Sequence, residues 1–169
     1  MEMLDAERQL VEALGKQAKE SSRPELKKAF ESHQQQTKKQ VERLDQCLRQ
    51  LGEESEEKES KGIRGIIEEH DTFMQEEDPA EDIADIFNVG AAGKVENYEI
   101  CAYNDLIRLA DMMGHKKASK LLNQNLKEER QTAKKMESFA RKLKPENLGM
   151  GEGRAEQEQP RRKTGKRAA

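Results

Sequence analysis

β-Branched residues are scarce. Valine, isoleucine and threonine total 15 of 169 residues, too few to furnish a sizeable sheet. Cysteine is nearly absent: Cys47 and Cys101 make no disulfide framework, which fits a reducing, cytoplasmic setting. Both are read as small core residues. Apolar residues reach only 33%, and no apolar run approaches the ~18 residues that a bilayer-spanning helix needs. The N-terminus lacks the basic-then-apolar pattern of a secretory leader. No nucleotide, pyridoxal-phosphate or hydrolase motif is formed. Gly90 and Gly93 follow no strand, so they are no phosphate loop; with Ala91 and Ala92 they are read as letting helices pack closely.

What the chain has is charge and helix formers. Charged residues make up 38%, and Ala, Glu, Lys, Leu and Arg account for 87 residues, just over half. That is the composition of long packed helices. The breakers divide it cleanly. Pro24 suits a first helical turn. Asp78-Pro79-Ala80-Glu81 reads as an N-cap, a proline at the first helical position, and an acid three residues after the cap. Gly52 and Gly114 follow long periodic stretches as C-terminal stops. The reading is helices at 2–20, 24–51, 63–77, 79–113 and 115–143, with a solvated loop at 53–61. Residues 1–144 form the bundle, and 145–169 form a disordered polar tail. From residue 150 the tail carries a net charge of +3, which leaves −6 for the remainder. A basic tip hints at nucleic acid, but the tail reads better as a solubilising segment, and neither nucleic acid nor a membrane is expected as a partner.

Inward stripes at helical spacing carry the information. They run Met3, Glu7, Leu10, Leu14; then Leu26, Phe30, His33, Thr37, Gln40, Leu44. The third runs Val89, Ala92, Glu96, Glu99, Tyr103, Leu106, and the fourth Leu122, Asn125, Glu129, Thr132, Met136. Each is apolar towards its hairpin turn and polar near its middle. The first turn centres near residue 22, with Glu7 and Thr37 each 15 residues away. The second centres near Gly114, with Glu99 and Glu129 each 15 residues away. At ~1.5 Å rise per residue, all sit about 22 Å from a turn. The hairpins also match at an offset of 92, which pairs Glu7 with Glu99, Gln36 with Glu128, and Phe30 with Leu122. A pseudo-twofold bundle follows, with the short middle helix inside a long crossover.

Four inward carboxylates demand an explanation. Glu7, Glu96, Glu99 and either Glu128 or Glu129 would meet in a low-dielectric core, where each buried charge costs several kcal/mol unless it is paired. No Lys or Arg shares these stripes. Two divalent cations would balance the charge, and His33 would add a nitrogen ligand suited to iron or manganese. Stripe counting favours Glu129, whereas the offset favours Glu128. Gln36 is a weak ligand or a hydrogen-bonding neighbour. Tyr98 and Tyr103 read as aromatic core, with a role as redox neighbours of a metal the other reading.

The chain resembles the YciE/YciF family of ferritin-like, stress-associated bacterial proteins. The resemblance is carried by Asp5-Ala6-Glu7-Arg8-Gln9-Leu10, Ala29-Phe30-Glu31-Ser32-His33, Thr37, and Gln40-Val41-Glu42-Arg43-Leu44. Gly65-Ile66-Ile67-Glu68-Glu69, Lys94-Val95-Glu96-Asn97-Tyr98-Glu99-Ile100 and Ala118-Ser119-Lys120-Leu121-Leu122 extend it. It implies a ferritin-like bundle, often dimeric, with a di-iron centre and a ferroxidase-like or peroxide-consuming role in stress. The chain departs from the family's common residues at Gln36, Asn97, Gln124 and Ala133. Family members commonly begin further upstream, which would leave the first helix short and Glu7 near a fraying end. Weak, asymmetric or absent metal occupancy is one expectation from these departures. The alternative function is a non-catalytic dimeric scaffold with a degenerate metal site. A third reading attaches nucleic acid through Arg161, Arg162, Lys163, Lys166 and Arg167.

Overall fold

The computed structural model describes residues 2–53 and 58–143. The tail at 145–169 and the centre of the 53–61 loop lie outside the described residues. Five helices follow in order: α1 (Glu2–Glu20), α2 (Pro24–Leu51), α3 (Lys61–Glu77), α4 (Glu81–Met112) and α5 (Lys116–Lys142). There is no strand among the described residues. None of the helices is long and apolar enough to cross a membrane.

Local chemistry sets most of the ends. Pro24 occupies the start of α2, where its missing N–H costs nothing. Gly52 (φ 73°) and Gly114 (φ 77°) take left-handed backbone that a side chain would strain. Past each glycine an amide turns back to a carbonyl of the last turn: Glu53 N–H to Leu48 O at 3.0 Å, and His115 N–H to Ala110 O at 2.8 Å. The reading of Asp78 as an N-cap is corrected. Asp78 adopts φ 40°, ψ 57° and closes α3. Helix α4 begins at Glu81 with Ala80 as its cap and no capping side chain. A residue held in left-handed backbone cannot also supply the extended cap of the next helix.

α1 and α2 form one antiparallel hairpin, and α4 and α5 form the other. The hairpins meet through α2 against α5 and α1 against α4, while α3 lies outside on α1 and α4. This is an antiparallel four-helix bundle with one extra helix in its crossover. Its apolar core is split in two. One cluster holds Leu44, Cys47, Ala110, Ala118 and Leu122 at the α4–α5 turn and reaches under α3 through Leu10, Ile63 and Val95. The other holds Leu14, Leu26, Phe30, Val89 and Met136 towards the α1–α2 turn. The polar middles of the stripes lie in between.

Three minor expectations change. A Cβ at Gly90 or Gly93 would meet nothing within 4 Å, so neither glycine marks a close helix contact, while Ala91 and Ala92 between them are buried. The close approach is at Gly62, where a Cβ would fall 2.6 Å from the Tyr98 ring. Tyr98 thus lies part-exposed over α3 instead of in the core. Cys101 is exposed, because it falls on the outer face of α4; only Cys47 is buried.

Candidate metal centre

Helical spacing aims the polar residues at one level. Glu96 and Glu99 are three apart on α4, with Tyr103 one turn further, so all three share a face. Asn125, Glu129 and Thr132 do the same on α5, as do His33, Thr37 and Gln40 on α2. Glu7 comes from α1. Glu7, Glu96 and Glu129 are 0% exposed, Glu99 is 1% and His33 is 4%. Glu7 does not fray. Two residues before it, the Asp5 carboxylate accepts the Ser60 N–H at 2.7 Å and the Gln9 amide at 2.6 Å, which ties the first turn of α1 to the start of α3.

The acids fall into two overlapping groups. One ligand atom each of His33, Glu96 and Glu129 lie within 4.8 Å of one another, and so do one each of Glu7, Glu99 and Glu129. Glu129 belongs to both. His33 Nε2 stands 3.4 Å from Glu96 Oε1 and 3.8 Å from Glu129 Oε2.

Neutral donors hold the far oxygens. The Tyr103 hydroxyl donates to Glu7 Oε1, and Gln40 Nε2 donates to Glu129 Oε1. Asn125 Nδ2 donates to the Tyr103 oxygen at 2.9 Å. Arg43 closes this chain from outside: Nη1 reaches Asn125 Oδ1 at 2.6 Å, and the guanidinium grips Glu128 through two bonds of 2.7 and 2.9 Å. The inner oxygens remain bare. Glu7 Oε2, both oxygens of Glu96, Glu99 Oε1 and Glu129 Oε2 are buried without a hydrogen-bond partner, as is His33 Nδ1.

Burial drives the electrostatics. It raises Glu7 well above the usual carboxylate value, helped by the charge of Glu129 and opposed by the Tyr103 hydrogen bond. Burial also raises Glu96, with Glu129 adding to it. Glu99 is raised by burial and then by Glu7, Glu129 and Glu96. Tyr103 is pushed up as well, first by burial and then by Glu7. Removing water penalises the charged form, and like charges at close range penalise it further.

Five of the sequence candidates therefore meet: Glu7, His33, Glu96, Glu99 and Glu129. Two do not join them. Glu128 turns to the flank and pairs with Arg43, since adjacent helical residues point about 100° apart and Glu129 already faces inward. Gln36 is half-buried, with its amide nitrogen unpartnered. The offset of 92 holds even here, because both mates sit at flank positions. The sequence reading missed Arg43 and gave no role to Gln40 or Asn125. Arg43 is three residues after Gln40, which puts it beside the stripe and within a long side chain's reach of α5.

Fold and site together define a ferritin-like four-helix bundle with a carboxylate–histidine layer across its core. Residues 1–149 match the model of a family described as a domain of unknown function (DUF892). Protein YciF of Escherichia coli strain K12 is 36% identical over 136 residues, which span 80% of this chain and 81% of that protein. The crystal structure of the E. coli stress protein YciF superposes with a TM-score of 0.79 at 34% identity, covering 84% of this chain and 89% of that one. YcfI of Rhodopseudomonas palustris, provisionally described as a structural protein, gives 0.78 at 33% identity over 81% and 87%. The chain belongs to the YciE/YciF family.

Proposed function

We propose that the bundle binds two transition-metal ions in its polar layer and works as a di-metal oxidoreductase-type protein, with Fe²⁺ or peroxide as the substrate class. One observation carries this reading. Four buried carboxylates crowd together, Glu7 against Glu99 and Glu96 against Glu129, with five oxygens that meet no N–H or hydroxyl hydrogen-bond donor, and His33 is the nearest group that could carry positive charge. Each ionised carboxylate left so would cost several kcal/mol. Hard oxygen donors with one imidazole fit divalent iron or manganese.

The residues divide the work. Glu129 would be shared, with His33 and Glu96 on one side and Glu7 and Glu99 on the other. Tyr103 and Gln40 hold the outer oxygens of Glu7 and Glu129, which fixes each carboxylate with its other oxygen turned to the centre. The two apolar clusters lie on either side of the layer, whose acids are buried. When bound, the metals would supply redox chemistry towards oxygen or peroxide.

A non-catalytic scaffold is the competing reading. It is favoured by the raised proton affinity of Glu7, Glu96 and Glu99, which lets them stay neutral in the core. Metal analysis separates the two. After anaerobic loading with Fe²⁺ and desalting, the wild type should retain roughly two ions per chain and Glu99→Ala should retain at most one. A metal-free wild type after loading would leave only the scaffold.

A further inference from the structure

The two halves of the site are not chemically equal, and the internal repeat shows where they part. Glu7 and Glu99 are equivalents at the offset of 92. Beyond them the equivalence fails at three positions of the layer. The counterpart of His33 is Asn125, that of Glu96 is Leu4, and that of Glu129 is Thr37. None of the three replacements can serve as a free ligand. Leu4 is a buried apolar residue. Asn125 has its nitrogen on the Tyr103 hydroxyl and its oxygen on Arg43. The Thr37 hydroxyl donates to the His33 carbonyl at 3.1 Å. One half-site therefore contains an imidazole nitrogen aimed at two carboxylates. The other offers oxygen alone, from Glu7, Glu99 and the shared Glu129.

Resting on the two-metal reading above, we infer that the half-sites sort metals. The His33–Glu96–Glu129 half takes Fe²⁺, the Glu7–Glu99–Glu129 half takes Mn²⁺, and His33 determines the specificity. Divalent affinity rises from manganese to iron at any given site, but imidazole widens that gap and carboxylate oxygens narrow it. When Fe²⁺ is limiting it gains most beside His33, which leaves the all-oxygen half to Mn²⁺. The hydrogen bonds agree with this division. No N–H or hydroxyl donor holds either oxygen of Glu96, which stands 3.4 Å from His33 Nε2, whereas Tyr103 donates to one oxygen of Glu7 in the other half.

The test uses the full metal-free chain, loaded anaerobically with one equivalent each of Mn²⁺ and Fe²⁺ and then crystallised. Anomalous diffraction at the two absorption edges locates each metal. The iron peak is expected beside His33 and the manganese peak between Glu7 and Glu99. Electron paramagnetic resonance of the same solution should show a spin-coupled mixed pair in place of free Mn²⁺. His33→Glu, which exchanges the nitrogen for oxygen, should lose the sorting and scatter both metals over both positions. Should that variant not fold, the wild-type peaks decide alone. Both metals mixed over both half-sites in the wild type would overturn the sorting and leave the two-metal reading standing. No bound metal under any loading would overturn both.

Discussion

Glu129 and Glu128 show how fine the decisive distinctions are at the scale of the residue. They are chemically identical neighbours, yet one is buried between two groups of acids and the other clasps Arg43 at the flank. Helical period separates them, and sequence reveals that period only when the stripe is counted from a well-placed turn. The roles of Tyr103, Gln40 and Asn125 were less legible. Their side chains lie on the stripes, but periodicity does not say which hydroxyl or amide finds which oxygen. The buried acids also set a pH response. Glu7, Glu96 and Glu99 bind protons more tightly in the metal-free fold than in the unfolded chain, whose value is near 4.5. The folded state then holds more bound protons, so their contribution to stability is fully present below that value and is lost as pH rises. Metal-free protein should resist urea better at about pH 5.5 than at about pH 8, and Glu7→Gln/Glu99→Gln should flatten that slope. A metal-free wild type equally stable at both values would show that these carboxyls titrate normally.

Helices were the most legible elements, because their ends carry chemistry that acts locally. Gly52, Gly114 and Pro24 each do what their backbone freedom or restriction dictates. The α3–α4 junction was misread because aspartate suits two jobs. It caps helix starts, and it also tolerates left-handed backbone better than most residues. In the fold Asp78 does the second. Left-handed backbone costs a residue with a β-carbon about 1–2 kcal/mol, more than the ~0.4–1 kcal/mol that glycine costs through the unfolded chain, so Asp78→Gly should stabilise the protein slightly. Urea midpoints would register that gain, and a loss instead would mean that the side chain holds the turn. Helix α3 also shows what periodicity cannot supply. His70 had no assigned role, yet its ring is buried, meets Asn88 at 2.7 Å and Asp71 at 3.1 Å, and stacks on Phe87. Those partners come from α4 and from the next residue, so a stripe count on α3 alone could not find them.

Across the whole molecule, the repeat of two hairpins explains why the core is divided. Each hairpin is apolar near its turn and polar 15 residues away, and antiparallel pairing brings those polar stretches to one level between two apolar clusters. A core built for stability alone would close that gap with leucine, since buried unpartnered carboxylates oppose folding. Ligands that bind only the folded state reverse the cost, by about 2.7 kcal/mol for each site at a hundredfold excess over its dissociation constant. For a chain of this length that corresponds to roughly 5–10 °C per site. Thermal unfolding at about pH 8, without metal and with anaerobic Fe²⁺ or Mn²⁺, therefore tests the central claim most directly. The account predicts a wild type that melts several degrees higher with metal. It also predicts that a Glu7→Gln/Glu99→Gln/Glu129→Gln variant melts above the metal-free wild type and does not respond. A wild type whose melting temperature stays the same with either ion would contradict it.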